Sequence, residues 1–471
     1  MVLGLLTGIY FVVALPRMVY PFDLDFLEDG LVVESWRFAQ GLPVFLPPNA
    51  DFMPHVYTPL YMLLSAGLFK LEGVSLLPMR LLSFAATLTT ACLLFGTGYA
   101  INRRRGLALI APGLFFAGYA LTGAQYELAR VDALFITLTV AGTLLGMVGA
   151  DKRRGVARSA FCLALAFWTK QAALMFAIGM MGYLLVAQRK HVGLFVLLYA
   201  LALGVPLWMM DWLSGGWSNF YLFEVPAGDP VSMSRLLNYV RHDLLQTLAP
   251  LCLCAVILAI MVVREQQQTS GHSLVRAWLY FTALALIDSG LQRARGGGNL
   301  NTLMPAYTFL CLTPVLLLNE LVGVSASNRL FEKILRDVVC LVIIWQGVIG
   351  AYNPLAEIPS VAMQQSGQRL IQRIAQIPGP VLVLEHPYYA LLAGKAPGVS
   401  LTALWHARRQ GRAPLPPDLT QRIQQKFYTA IIRDEGEYFE VEAEILALVD
   451  KTYQLDVTLD VQAAPPTLSG V

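Results

Sequence analysis

The sequence predicts a polytopic α-helical membrane protein with about eleven crossings, followed by a small α/β domain outside the membrane. Three observations carry that expectation. The chain has 471 residues, of which 56% are hydrophobic and only 14% charged, against about a quarter charged in an ordinary soluble domain. Its mean hydropathy is +0.58. The apolar residues come in long runs, and the last 119 residues form a zone of different composition with 22 charged side chains. A net charge of +3, with no basic block, excludes nucleic acid as a partner.

A helix needs roughly 20 mostly apolar residues to cross the hydrocarbon core. By that measure spans are predicted near 1–19, 76–101, 106–123, 132–150, 156–170, 172–187, 192–213, 243–263, 275–290, 301–319 and 337–352. The first has no cationic start and no small-residue cleavage site, so it is expected to be an uncleaved anchor whose abrupt apolar beginning suggests a few missing residues. Short loops rich in Lys and Arg stay on the cytoplasmic side. Arg103 to Arg105, Lys152 to Arg154, Arg189 with Lys190, and Arg329, Lys333 and Arg336 mark four of them. If the apolar stretch 59–71 crossed fully, Arg103 to Arg105 would lie outside. It is therefore predicted as a helix of about 13 residues lying at the outer interface.

With that parity, residues 20–75, the loops near 124–131, 214–242 and 291–300, and the C-terminal zone are extracytoplasmic. In 353–471 the pattern predicts helices at 361–376, 416–426 and 439–450, strands at 380–385 and 427–433, and a third strand at 453–459. The six cysteines all fall in apolar runs and the six histidines are scattered, so neither a disulfide framework nor a metal site is expected.

The chemistry is sought in the outer segments. Asp23, Asp25, Glu28 and Asp29 follow the first anchor directly. They can be a solvated acidic start to the helix after them, favoured by its dipole, or supply a carboxylate that takes a proton from an acceptor hydroxyl. His55 and Tyr57 precede the interfacial helix, where an aromatic belt explains the tyrosine equally well. Glu127, Arg130, Asp132, Lys170 and Gln171 sit near the outer ends of apolar spans, where ionisable groups are costly and either pair structurally or serve function. The sharper reading gives Arg130 and Lys170 to the phosphate of a lipid-linked substrate. Arg293, Arg295, Asn299 and Asn301 flank three consecutive glycines, a plain turn or an anion site.

In order and spacing, Leu27-Glu-Asp-Gly30, Trp36 to Phe45, Tyr57-Thr-Pro-Leu-Tyr61, Met79-Arg-Leu-Leu-Ser83, Arg130-Val-Asp132, Thr169-Lys-Gln171 and Gly298-Asn-Leu-Asn301 resemble the GT-C superfamily of membrane glycosyltransferases. That group includes protein O-mannosyltransferases and lipid A aminoarabinose transferases. The resemblance spans nearly the whole chain. It implies a multi-pass protein of the bacterial plasma membrane, juxtamembrane helices and a catalytic acid in the first external loop, and a polyprenyl-phosphate sugar as donor. It further implies inversion at the sugar carbon, an acceptor that is a glycan, lipid or protein, and often an outer C-terminal domain. Relatives commonly carry Gly-Glu-Gly or Asp-Glu where this chain has Leu-Glu-Asp-Gly, so Glu28 and Asp29 both stand as the base. With Glu28 or Asp29 catalytic, the phosphate falls to Arg130, Lys170, Arg293 and Arg295, and substrate contact to Asp25, His55, Tyr57, Asp132, Gln171, Asn299 and Asn301. No cofactor is required by the charge of a monophosphate donor, although some members of the family use a divalent metal. The rival classes are a transporter or flippase, which predicts midplane charges and internal duplication that the sequence lacks, and a noncatalytic subunit of an envelope assembly.

Overall fold

The structure is a computed structural model and describes residues 1–264, 270–322, 329–408, 414–434, 443–459 and 468–469. All eleven apolar runs are helical. Among the described residues, five helical stretches are each long and apolar enough to cross a membrane: Val2–Val19, Leu76–Asn102, Arg189–Ser214, Leu274–Arg293 and Leu300–Leu321. Two sharply bent pairs raise the number to seven, and Arg105–Ala117, Asp132–Val148 and Gln171–Ala187 are shorter apolar helices.

Several runs are interrupted where the sequence contains Pro or Gly. The expected span at 106–123 is two short helices, Arg105–Ala108 and Ile110–Ala117, ending in a turn at Gly118 to Gly123. Pro314 has no N–H for the carbonyl of Leu310, and the hydroxyl of Thr313 donates to that oxygen instead at 2.8 Å. The run 243–263 bends by 85° between Met233–Thr247 and Ala249–Arg264, next to Pro250, which likewise lacks a helical donor.

Four elements position the site. Helix α1 (Val2–Val19) leads into the acidic segment, which enters α2 (Glu28–Ala39), and α3 (Leu60–Glu72) then packs against α2 before the long α4 (Leu76–Asn102). The helix predicted at 59–71 thus forms almost at the expected residues. Its 13 residues rise only about 20 Å. It is two-faced: Tyr61, Met62, Ser65, Ala66 and Phe69 are buried while Leu63, Leu64 and Leu71 are exposed.

In 353–471, helices Val361–Gln376, Pro417–Gln424 and Ala443–Thr452 form close to expectation. Residues 439–442 of the predicted third helix lie outside the described residues. The strands shorten to β1 (Val381–Val383) and β2 (Ala430–Ile432), which pair in parallel through a helical crossover. Gly379, at φ +81°, makes the turn between Pro378 and Pro380 that starts β1. The expected third strand does not form. Tyr453 closes a helix, and 454–459 run without a ladder partner.

Two buried apolar clusters result. One lies among the apolar helices, around Tyr10, Phe115, Leu163, Phe176, Trp278 and Phe309. The other joins the first external segment to the C-terminal zone through Phe22, Leu31, Tyr61, Leu382, Tyr388 and Leu404. A Cβ on Gly367 would lie 2.3 Å from the ring of Phe22, so the two parts meet with no space between them.

Candidate active site

The segment between α1 and α2 is short, and its acids are held by partners far away in sequence. Asp25 accepts the Leu27 N–H at 3.0 Å, and its backbone carbonyl accepts Glu28 N at 3.0 Å, which starts α2. Glu28 and Asp29 occupy the first helical turn, where the dipole favours negative charge. Glu28 is then fully engaged. Its Oε1 accepts from Arg80 Nε at 2.8 Å and Ala129 N at 2.6 Å, and its Oε2 from Arg80 Nη2 at 2.6 Å and Leu24 N at 2.7 Å. Arg80 uses its remaining donors on the carbonyls of Arg17, Tyr20 and Phe22 at 2.6–2.8 Å. Both side chains are wholly buried. This closed pair fastens α4 to the acidic segment.

A second network gathers around Asp132, at the first turn of helix Asp132–Val148. Lys170 Nζ donates to Asp132 Oδ1 at 2.8 Å, Asn301 Nδ2 to the same oxygen at 3.1 Å, and Arg130 Nε to Oδ2 at 3.3 Å. Arg130 Nη1 pairs with Asp25 Oδ1, and Gln125 Nε2 donates to Asp25 Oδ2 at 2.8 Å. Lys170 Nζ also lies 5.6 Å above the ring of Phe135. Asp25, Arg130, Asp132, Lys170 and Asn301, named from distant stretches of sequence, therefore meet. Burial pushes the Asp25 carboxyl up against the pull of Arg130.

Asp29 is the exception among the acids. It is completely buried, and neither carboxylate oxygen has a hydrogen-bond partner among the described residues. Burial pushes its carboxyl well above the ordinary range; Asp23 pushes in the same direction and His386 opposes it. Asp23 itself is answered from the C-terminal zone. Its Oδ2 lies 2.9 Å from His386 Nδ1, and Oδ1 accepts the hydroxyl of Tyr389.

His55 packs on α2 so closely that a Cβ at Gly30 would lie 1.9 Å from its Nε2. Its ring is buried and Nε2 has no hydrogen-bond partner among the described residues, and burial lowers its pKa to about 3. Its backbone N–H donates to Glu34 Oε2 at 3.2 Å. Burial pushes Glu34 up to about 8. A carboxyl raised above its value in the unfolded chain favours folding below about pH 4.5, and that contribution is lost as pH rises toward 8. Glu34→Gln keeps the acceptor for His55 N and removes the charge. It is expected to melt with the wild type at pH 5 and above it at pH 8.5 in detergent; an equal shift at both pH values would contradict this.

Tyr57 is half-buried, and after burial the groups acting on its phenol are Arg130, Asp132, Lys170 and Asp25, which sets it beside the network. Gln171 Nε2 donates to the carbonyls of Val56 at 2.7 Å and Leu222 at 3.1 Å, tying that loop down. Two expected cations are engaged elsewhere. Arg293 pairs with Asp243 at 2.9 Å and donates to Gly298 O at 2.7 Å, while Arg295 donates to Pro226 O at 3.2 Å. They fasten the 214–242 loop to the glycine turn. Asn299 accepts Thr302 N through its backbone carbonyl at 3.1 Å, which opens the turn before Asn301. Glu127 takes the structural role: Arg17 Nε donates to it at 2.6 Å, as does the hydroxyl of Tyr119 at 2.6 Å.

Sequence reasoning missed Gln125, Asp288, His386 and Tyr389, and treated Arg80 only as part of a motif. A lone arginine early in an apolar helix was a usable signal for a buried partner. So was Asp288, buried within helix Ser270–Arg293 and bonded to Gln292 Nε2 at 2.7 Å. Nothing near His386 announced a distant acid. Among the described residues no three His, Cys, Asp or Glu side chains gather in a metal-holding group; the central carboxylates are matched to guanidinium, ammonium and imidazole groups.

No family model matches the chain, and no curated protein matches it in sequence. Solved structures do. ArnT from Cupriavidus metallidurans bound to undecaprenyl phosphate superposes with a TM-score of 0.65 at 11% identity, over 98% of this chain and 99% of that one. The apo state of that ArnT gives 0.59 at 12% identity, over 89% and 90%. The oligosaccharyltransferase of Archaeoglobus fulgidus in its apo form gives 0.52 at 9% identity, over 85% of this chain and 64% of that one. At such identities the likeness is one of fold, and it extends from the first helix into the C-terminal zone. The chain shares the fold of that ArnT and of the archaeal oligosaccharyltransferase.

Proposed function

We propose that the protein is a membrane glycosyltransferase that moves a sugar from a polyprenyl-phosphate carrier to an acceptor hydroxyl on the extracytoplasmic face. One observation carries the reading: acids and cations from residues 25, 130, 132 and 170, joined by the amide of Asn301, meet in a single buried network. Its position in the fold agrees. Helices Leu76–Asn102, Asp132–Val148, Arg153–Thr169 and Leu174–Ala187 each have a basic loop at one end and Arg80, Asp132, Lys170 or Gln171 at the other. With positive loops inside, the network faces outside. The solved ArnT of the same fold carries undecaprenyl phosphate, a lipid with the one phosphate this site would meet.

In this reading Asp132 holds Arg130 and Lys170 in fixed positions before substrate arrives. Lys170 Nζ spends one donor on Asp132, and Arg130 Nη2 has no partner among the described residues, so both can also donate to a phosphate oxygen. Donors fixed in advance stabilise charge as it develops on the departing phosphate without reorganisation. The acceptor oxygen attacks the anomeric carbon, the bond from that carbon to the phosphate oxygen breaks with its electrons going to the phosphate, and the acceptor's proton goes to a carboxylate. Attack opposite the leaving phosphate inverts the carbon. Of the two candidate bases, Glu28 is closed by four donors, while Asp29 accepts from no side chain among the described residues and is eased only by the nearby Gly30 N–H, so Asp29 takes the proton. Arg293 and Arg295 are left to the outer loop. The zone 353–471 acts as an outer domain over the first external segment.

Lys170→Ala tests the phosphate site. A charged hydrogen bond contributes about 1.5–3 kcal/mol, so the donor KM in detergent or nanodiscs is expected to rise at least about tenfold, and binding of undecaprenyl phosphate to fall with it. Unchanged affinity would remove Lys170 from the site.

A further inference from the structure

Three buried acids of the first external segment are answered by cations from different parts of the chain. Arg80 answers Glu28, Arg130 answers Asp25, and His386 answers Asp23. Asp29 has no side-chain hydrogen-bond partner among the described residues. His386 stands between β1 and the helix Pro387–Leu392, and its ring joins two carboxylates. Nδ1 is 2.9 Å from Asp23 Oδ2, and Nε2 is 3.1 Å from Asp434 Oδ2. The two acids favour the imidazole cation: Nε2 is hydrogen-bonded to Asp434, and Nδ1 lies at ion-pair distance from Asp23. Tyr389 stacks on the ring at 4.9 Å and 11° and donates to the other oxygen of Asp23. The charged groups facing His386 are Asp23 from the first segment, Asp29 from α2, Asp434 after β2, and its neighbour Glu385, whose Oε2 accepts Asp434 N at 3.1 Å.

The attachment is fixed on both sides of the histidine. Val399 N donates to Ala50 O at 3.0 Å, Leu468 N to Leu24 O at 3.0 Å, and Arg422 pairs with Asp51 at 2.6 Å.

We propose that His386 is a positioning residue for Asp29: by pairing with Asp23 it holds that neighbouring acid in place and supplies the positive charge that allows Asp29 to become a carboxylate. The C-terminal zone is then part of the reaction centre. This inference rests on the reading of Asp29 as the base. Without the imidazolium, the like charge of Asp23 would act on Asp29 unopposed by His386, and the proton on Asp29 would be held more tightly.

The test is the pH dependence of kcat/KM for transfer from a polyprenyl-phosphate sugar, measured on the full-length protein. His386→Gln keeps a donor and loses the charge. Its acid limb is expected to move up by about one pH unit, with the donor KM within about twofold of wild type. Asp434→Asn, at a half-exposed position, weakens the hold on the imidazolium and should move the limb the same way by less; it also serves if His386→Gln fails to fold. The double variant Asp23→Asn with His386→Gln removes both charges and should return the limb toward wild type. A lower rate with an unmoved limb in both single variants would show a merely structural histidine and overturn the proposal. Asp29→Asn in the same series separates the two readings: if it keeps the wild-type rate and profile, the base assignment fails whatever His386 does.

Discussion

Asp29→Asn is expected to lower transfer from a polyprenyl-phosphate sugar by about 10²–10⁴-fold, the usual loss when a general base is removed, while leaving the protein folded. The resting group is buried, has no partner, and is pushed strongly toward its neutral form. An amide of the same shape replaces a neutral acid at little cost to the fold but has no means of accepting the acceptor's proton. The same features set the pH dependence. The base acts as the carboxylate, so kcat/KM should rise with pH through an acid limb lying above the range of ordinary aspartates. An Asp29→Asn variant with wild-type turnover, or a limb near pH 4, would contradict the assignment.

Glu28→Gln should fail differently. Glu28 and Arg80 are both wholly buried, and the carboxylate is the counter-charge of a guanidinium whose other donors are spent on three carbonyls. Removing one partner of such a pair leaves a buried charge uncompensated and costs about 3–5 kcal/mol. The expected result is a lowered melting temperature and a smaller folded fraction after extraction, with specific activity of the folded remainder largely kept. Arg80→Met combined with Glu28→Leu removes both charges and should recover part of the lost stability. A Glu28→Gln protein that melts like wild type but transfers no sugar would make Glu28 the base.

How these two acids divide shows what the sequence could and could not disclose. Apolar runs report helix and burial directly, which is why the helical runs, and the short α3 read from the apolar stretch 59–71, were legible. The breaks at Pro314 and Pro250 follow from a missing donor and could have been placed more sharply. Charge pairing is another matter. Glu28 and Asp29 are adjacent, share a helical turn and have the same chemistry; they are distinguished by the Leu24 N–H and by Arg80 and Ala129, 52 and 101 residues away. Arg293 and Arg295 looked like answers to an anion because they stood outside against the usual bias, yet Asp243 and the Pro226 carbonyl had already engaged them.

The C-terminal zone shows the same limit. Periodicity identified its helices and two of its strands, and overestimated a third at 453–459, where β-forming residues have no neighbour to pair with. That this zone would reach Asp23 was invisible, because His386 lies in an ordinary strand-to-helix turn and its partner is 363 residues earlier. Arg130, Asp132 and Lys170 were found for a simpler reason. Charges at the ends of apolar helices are few, and two cations sharing the one carboxylate of Asp132 is a low-cost arrangement.

The most direct test of the account uses the purified wild-type protein in proteoliposomes loaded with a polyprenyl-phosphate sugar labelled in the sugar, with mass spectrometry of the lipid and of the acceptor fraction. Cleavage at the anomeric carbon is predicted, releasing free polyprenyl phosphate in step with labelled acceptor, and Asp29→Asn should abolish both. Movement of the intact lipid-linked sugar between leaflets with no polyprenyl phosphate released, in wild type and variant alike, would contradict the account and make the buried network a translocation site.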